Sequence, residues 1–324
     1  MKLSIQRILK LPIIMLMAIS ITIGCSNNLP EKTNSGATSE YRIVEDAIAA
    51  IKVPINPQRL VTLHGIALES ILALGEKPVG TTLNGDRELQ PDFLRKQLDD
   101  VEILGSFSEP NLEKILLLKP DLILDLDTAN IYDRLTQIAP VVVSDFNPSN
   151  SWQPSLKLYG EALGKSKAAD QIIANYYQRI KQLKAELAKE SKSITVSVIR
   201  IYPDGIAVYQ PDSFSGSILK DAGLSRPPSQ NKTGVQTLIS KELIGEADAD
   251  VIFLWAYGDD YNSKESQRQK NLEQLKFDPL WSQLKAVRQG KVYQVPDYWI
   301  GYGSLAANAV LDDLEKYLVS SNNK

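Results

Sequence analysis

The sequence predicts an α/β fold of two similar lobes with mainly parallel sheets, joined by one long bridging helix. Three observations carry this. Short apolar runs alternate with helical ones on both sides of residues 166–190, which implies βα units with sheets covered on both faces. Residues 166–190 themselves hold an unbroken helical period. The two flanking halves also repeat each other faintly: Leu112 to Leu124 and Ile239 to Phe253 share a helix, a tight turn, an Asp and a buried strand, and Ile71 to Gly75 echoes Ile218 to Gly223.

In the first half, strands are expected at Arg59–Leu63, Pro78–Thr81, Val101–Leu104, Asp121–Leu126 and Val141–Ser144. Helices are expected at Ala67–Leu74, Pro91–Leu98, Leu112–Leu118 and Tyr132–Ile138, with Trp152–Leu163 closed by Gly164. In the bridge, Ala169, Ile172, Ile173, Tyr176, Ile180, Leu183 and Leu187 fall on one stripe at steps of three and four. Ser166 suits the N-cap, Asp170 the first turn and Lys189 the last. With no Gly or Pro, the helix would run roughly 35–40 Å. The alternative is an ordinary amphipathic helix lying on one domain.

In the second half, Ile194–Ile201 and Gly205–Tyr209 read as strands turning at Pro203-Asp204-Gly205. Phe214–Ala222 and Leu238–Gly245 read as helices, Asp250–Trp255 as a buried strand, and Gly258–Lys270 as a polar loop or helix start. Lys291–Val295 is a last strand and Ser304–Val319 a terminal amphipathic helix. The expected organisation is residues 1–24 as a signal peptide, 25–40 as a flexible tether, 41–164 as the first lobe, 165–190 as the bridge and 191–324 as the second lobe.

The signal reading rests on a basic start (Lys2, Arg7, Lys10), an apolar run from Leu11 to Ile23 too short to span a bilayer, and Gly24 before Cys25, the only cysteine of the 324 residues. The arrangement resembles a bacterial lipoprotein signal, although Thr22 and Ile23 depart from the usual residues before the cysteine. That resemblance implies export, lipidation at Cys25 and a chain held to the cell membrane, facing the periplasm or the cell exterior. Loss of residues 1–24 takes the net charge from −3 to −6, which argues against a nucleic-acid partner. With no cysteine beyond Cys25, the exported fold forms no disulfide and relies on its core.

Enzyme motifs are missing. There is no Gly-x-Ser-x-Gly elbow, P-loop or Cys-x-x-Cys, and one His with one Cys leaves few candidates for nucleophile and base. Gly301 to Ala306 matches a dinucleotide pattern, but no strand with an acidic end follows it. His64 alone cannot make a protein-only zinc site, so no metal is expected to be bound directly and no cofactor is expected. A metal already wrapped by a chelator would need no protein ligand.

In open parallel sheets a ligand meets the carboxyl ends of the strands. Those ends carry His64-Gly65, Thr81-Thr82 running on to Arg87, Ser106-Phe107-Ser108 and Asp127-Thr128 in the first half. In the second they carry Arg200, Tyr202, Tyr209, Trp255, Tyr257 and the turn from Asp297 through Tyr298, Trp299, Ile300 and Gly301 to Tyr302. Aromatic faces with two arginines suit a rounded ligand bearing carboxylates or metal-bound oxygens. Arg200 stands out, since it continues an apolar strand on the face of Val196 and Val198, where an unpaired charge is costly unless a cleft opens there. The competing reading is an edge arginine in solvent, or one paired with Asp204 or Asp212. Trp255, Tyr298 and Trp299 are equally readable as core.

Taken together, Arg59 to Leu63, Glu69 to Gly80, Gly105 to Glu113, Leu118 to Ile123, Leu135 to Pro140, Val196 to Arg200, Ser213 to Gly216, Gly223 to Pro227 and Asp312 to Leu314 resemble the periplasmic-binding domain of iron-siderophore and cobalamin uptake systems. The likeness covers most of residues 55–320. It implies a monomeric lipoprotein or periplasmic protein that captures a ferric siderophore of carboxylate or hydroxamate type, such as ferric dicitrate, and delivers it to the permease and ATPase of an ABC transporter. It further implies one acidic transporter contact per lobe: Glu69 is expected in the first, with Asp221 or Glu242 as candidates in the second. A haem or cobalamin carrier is the alternative within the family, with Tyr298 or His64 approaching the metal. An exported α/β hydrolase is the alternative from another class.

Overall fold

Short, mostly buried strands set the architecture. In the computed structural model, which describes residues 40–87, 90–126, 131–145, 152–189, 193–257 and 267–319, five of them form a wholly parallel sheet. These are β3 (Leu60–Thr62), β4 (Gly80–Thr81), β5 (Glu102–Ile103), β6 (Leu122–Asp125) and β7 (Val141–Val143), in the order β5-β4-β3-β6-β7. Ahead of them, β1 (Tyr41–Glu45) and β2 (Ala50–Pro54) pair antiparallel and send Val44 and Val53 into the core. Helices α1 (Gly65–Ala73), α2 (Asp92–Arg95), α3 (Leu112–Leu118), α4 (Tyr132–Leu135) and α5 (Gln153–Ala162) complete this lobe. Cys25, residues 1–24, most of the expected tether, and Asp127 and Thr128 lie outside the described residues.

The second sheet is mixed. Strands β8 (Val196–Ile201), β9 (Ile206–Tyr209), β10 (Gln236–Ile239), β11 (Val251–Ala256) and β12 (Val292–Gln294) take the order β10-β9-β8-β11-β12. Here β8, β11 and β12 are parallel, and β9 and β10 run antiparallel at one edge. Its helices are α7 (Phe214–Asp221), α8 (Gln267–Lys276), α9 (Lys285–Arg288) and α10 (Ser304–Leu314), the last running into a π turn at Glu315–Val319. The helix expected at Leu238–Gly245 is not there. The free edge of β9 takes up the backbone of Gln236–Ile239 instead, and a 3-10 segment, Lys241–Ala247, follows.

Between the lobes runs α6 (Ser166–Ala188). Ala169, Tyr176, Ile180 and Leu183 are buried along one stripe, and the residue at the N-cap is Lys165, one earlier than expected. Gly160 of α5 admits Ala169 closely at one end. Further along, Tyr176 donates to Asp221 of α7 at 3.0 Å, and Arg179 donates to Asp312 at 2.7 Å and Glu315 at 3.0 Å. The bridge therefore touches both lobes. One core cluster passes from Leu60, Leu122 and Val142 through Tyr159 and Tyr176 to Val196, Phe253 and Val310, so the lobes share apolar packing and not only a covalent link. Among the described residues no helix is long and apolar enough to cross a membrane.

Candidate functional site

A cavity of about 520 Å³ opens where the carboxyl ends of the two sheets face each other, a size that suits a small ligand. The first lobe contributes Gly65, Leu68, Leu83, Phe93, Leu94 and Phe107, and the second contributes Arg200, Tyr257, Arg268, Asp297, Tyr298 and Tyr302.

Arg200 ends β8 opposite Trp255 of β11. Its guanidinium lies 5.2 Å from the centroid of Tyr202 and 5.0 Å from that of Tyr257, two rings stacked on each other at 5.2 Å. Nη1 donates to the Tyr202 hydroxyl at 3.2 Å, while Nε is buried without a hydrogen-bond partner. No carboxylate pairs with Arg200 among the described residues, and Asp212 instead accepts from the Gly234 backbone. A half-buried cation held by π faces, with no counter-ion, keeps its charge available to an anion. Arg268, on α8, adds a second guanidinium to the same wall.

The aromatic part of the wall is built by two carboxylates. Asp313 of α10 accepts from the Tyr298 hydroxyl at 2.7 Å and from Trp299 Nε1 at 2.9 Å, which fixes the 3-10 turn Asp297–Ile300. Burial and the adjoining Asp313 push the Tyr298 hydroxyl pKa upward. Glu69 accepts from the backbone N–H groups of Tyr302 and Ala306 at 3.2 and 2.9 Å. Burial raises its carboxyl to about 7, against the lowering effect of those N–H groups. Gly65 leaves room for the Tyr302 ring, which a Cβ there would meet at 2.6 Å.

Several expected positions lie elsewhere. Trp255 and Trp299 do not line the cleft: both are 0% exposed, Trp255 against Tyr209 at 5.1 Å and Trp299 stacked on Phe253 at 4.4 Å. Their large rings gain more by filling the second-lobe core than by facing water. Tyr209 is likewise in the core, its hydroxyl pKa pushed up by burial and partly relieved by Arg200. Arg87 turns away and donates to the Val101 carbonyl at 2.7 Å. Ser106 closes a local turn with Ser108 and the Glu109 N–H, leaving Phe107 to face the cavity. Tyr202 acts through Arg200. His64 caps α1, with Nδ1 accepting from Ile66 N–H, and packs between Phe107 and Tyr302. Glu69 is 2% exposed and points into the junction of the lobes, so it offers no carboxylate at the surface for a transporter.

Arg268 and Phe93 were not foreseen. A signal for Arg268 exists: it lies at helical spacing from Leu272 and Leu275, on the buried stripe of an otherwise polar helix. Among the described residues no group of three or more His, Cys, Asp or Glu could hold a metal ion.

This two-lobed fold with a cleft at the sheet ends is that of a substrate-binding protein, and comparison with known proteins agrees. Residues 60–299 match the family described as "Periplasmic binding protein", and the chain belongs to it. It is 35% identical over 320 residues to the "Probable siderophore-binding lipoprotein YfiY" of Bacillus subtilis, covering 95% of this chain and 97% of the other. It is 34% identical over 269 residues to the achromobactin-binding periplasmic protein of Dickeya dadantii, covering 80% and 86%. The crystal structure of Staphylococcus aureus SirA complexed with staphyloferrin B superposes with a TM-score of 0.75 at 28% identity, over 86% of this chain and 98% of SirA.

Proposed function

We propose that this chain is the substrate-binding lipoprotein of an ABC importer, and that it captures an anionic ferric siderophore, such as ferric dicitrate, between its lobes. The observation that carries the reading is Arg200, a cation without a carboxylate partner among the described residues, mounted on two tyrosine rings and joined at the cleft by Arg268. Membership of the family and the siderophores named for the relatives support it. A chelate that already saturates its iron needs only charge complementarity and area from the protein, and the cavity supplies both. Capture is binding and release, with no covalent step, which sets this reading apart from the hydrolase alternative. The haem alternative finds less support, because the Tyr298 hydroxyl is committed to Asp313 and His64 Nδ1 to the α1 backbone. The name of the Bacillus relative supports the lipid anchor at Cys25.

For the permease contact, Glu113 and Glu242 take the place first assigned to Glu69. Asp121 accepts from the backbone of Gln58 and Arg59 just ahead of β3, and Asp250 from that of Thr195 just ahead of β8. The two aspartates are thus equivalent points of the two lobes. Glu113 and Glu242 each lie eight residues before them, exposed, in the first turn of α3 and of the 3-10 segment. Leu117 (78% exposed) and Leu243 (49%) stand nearby.

Calorimetric titration with ferric dicitrate, ferric schizokinen, a ferric hydroxamate and haemin tests the binding reading. Saturable binding of at least one ferric chelate is expected, and binding of haemin alone would overturn it. Glu113→Lys with Glu242→Lys is expected to abolish iron uptake in cells while leaving chelate affinity in solution unchanged.

A further inference from the structure

Three carboxylates stand at the turn that runs from Asp297 to Tyr302, and protein donors answer two of them. Asp313 accepts from the Tyr298 hydroxyl at 2.7 Å and from Trp299 Nε1 at 2.9 Å. Glu69 accepts from the backbone N–H groups of Tyr302 and Ala306 at 3.2 and 2.9 Å. The third, Asp297, opens the 3-10 turn and lines the cavity, half-buried. Among the described residues its carboxylate takes part in no hydrogen bond and no ion pair. Because Asp313 fixes the two residues that follow Asp297, the backbone carrying this acid is held in place at the wall.

Arg200 presents the opposite sign in the same wall. Its guanidinium rests on Tyr202 and Tyr257 and has no carboxylate partner among the described residues, Asp297 included. Both charges act on Tyr302: burial pushes its hydroxyl pKa up, Glu69 and Asp297 add to the rise, and Asn84 and Arg200 oppose it. The cavity therefore holds a cation and an anion near each other that do not neutralise one another. A ligand that fills it strips water from both. Negative oxygens alone would answer Arg200 and leave Asp297 desolvated against a like charge, whereas a ligand bearing both signs answers both.

We propose that Asp297 is a specificity-determining residue, and that the chelate taken by this cleft carries a protonated amine beside its metal-bound oxygens. The oxygens face Arg200 and the ammonium faces Asp297. An ammonium brings three donors and a full charge, the strongest complement to a carboxylate that receives no donor from the protein. An acetylated amine keeps a donor and loses the charge, which makes it the matched control. The inference rests on the cleft being the ferric-chelate site.

The test uses ferric dicitrate and two ferric complexes of citrate linked through one terminal carboxyl, as an amide, to ethylenediamine, the far amine being free in one and acetylated in the other. Each is titrated by calorimetry at neutral pH into wild type, Asp297→Asn and Asp99→Asn, the last a change of the same charge at an exposed residue outside the cavity. Wild type is expected to hold the free-amine complex about tenfold more tightly than the acetylated one. That ratio should fall to about one in Asp297→Asn and persist in Asp99→Asn. Ferric dicitrate should bind Asp297→Asn more tightly than wild type, because a like charge has gone. A wild type that does not distinguish the two amides overturns the proposal without recourse to a variant. So does a preference kept in Asp297→Asn or lost equally in Asp99→Asn, and so does wild type that binds ferric dicitrate and neither amide. Weaker binding of ferric dicitrate by Asp297→Asn would show a structural role and also overturn it. In each of these cases the cleft remains a ferric-chelate site; wild type that binds none of the three chelates overturns that reading and the inference with it.

Discussion

The two walls of the cleft are built on different principles. The first lobe presents Leu68, Leu83, Phe93, Leu94 and Phe107, with the polar Asn84 and Gln90 and the buried Glu69 beside them, a mainly apolar surface without a cation among the described residues. The second presents Arg200 and Arg268, with Asp297 as its one acid among the described residues, beside Tyr257, Tyr298 and Tyr302. Apolar area gives affinity with little regard for the ligand's charge, whereas a desolvated guanidinium discriminates by charge and geometry. Under the proposed function, this contrast lodges specificity mainly in the second lobe and leaves the first to supply area. Four substitutions test this division of labour: at the Glu69 seam between the lobes, at the cationic wall, at the apolar wall and at a residue outside both.

The seam is expected to give the largest effect. Burial raises the Glu69 carboxyl from 4.5 to about 7, so between those values the folded chain holds a proton that the unfolded chain gives up. The contribution to stability is complete below about pH 4.5 and is lost as pH rises through 7, on the order of 3 kcal/mol in total. Denaturant unfolding of wild type against Glu69→Gln, at intervals between about pH 4.5 and 8, is expected to show this decline in wild type alone. Parallel curves would mean that the junction is wetter than its 2% exposure implies.

At the cationic wall, Arg200→Ala is expected to weaken ferric dicitrate binding about ten- to hundredfold, or ~1.5–3 kcal/mol, by removing charge-assisted contacts in a partly desolvated site. The unfolding midpoint should hardly move, because Arg200 forms no ion pair among the described residues. Calorimetry with ferric dicitrate and with a neutral ferric hydroxamate sharpens the point: the loss should be larger for the anion, and equal losses would mean that Arg200 shapes the wall without reading charge.

The same contrast between lobes governs what could be read from the sequence. The first sheet was legible because its central strands carry short apolar runs, as in Leu122–Asp125 just after Pro120 and the preceding helix. The second was less so. Gln236–Ile239 carries one buried residue in four and owes its strand to the free edge of β9, a tertiary cause that no local period records. Arg200 was legible as a charge interrupting an apolar strand. Trp255 and Trp299 were not placed correctly, since strand alternation does not say whether a face meets the cleft or a helix. Glu69 was read as a transporter contact from the family resemblance; its partners lie more than 230 residues away in the chain. Short-range pattern cannot reveal a contact of that span.

On the apolar wall, Phe107→Ala is expected to cost ~0.5–1.5 kcal/mol of binding through lost ring contacts with His64 and Tyr302 and lost area against the ligand. The loss should be similar for charged and neutral chelates and insensitive to added salt. A strongly charge-dependent loss would show that Phe107 acts by orienting the arginine wall, and the division of labour between the lobes would fail.

The smallest effect on binding is expected at Arg87, the arginine that the sequence placed beside Arg200 and the structure does not. Its guanidinium holds the Val101 carbonyl ahead of β5, so Arg87→Ala removes a structural hydrogen bond worth ~1 kcal/mol of folding stability. Chelate affinity should change by less than about twofold, the range of a substitution away from the site. The pair forms an internal control: Arg87→Ala lowers the unfolding midpoint and spares binding, while Arg200→Ala does the reverse. If Arg87→Ala weakened binding as strongly as Arg200→Ala, the chelate would have to reach past Phe93 to the far edge of the first sheet. The first lobe would then contribute charge as well as area, and the asymmetry of the two walls would no longer account for specificity.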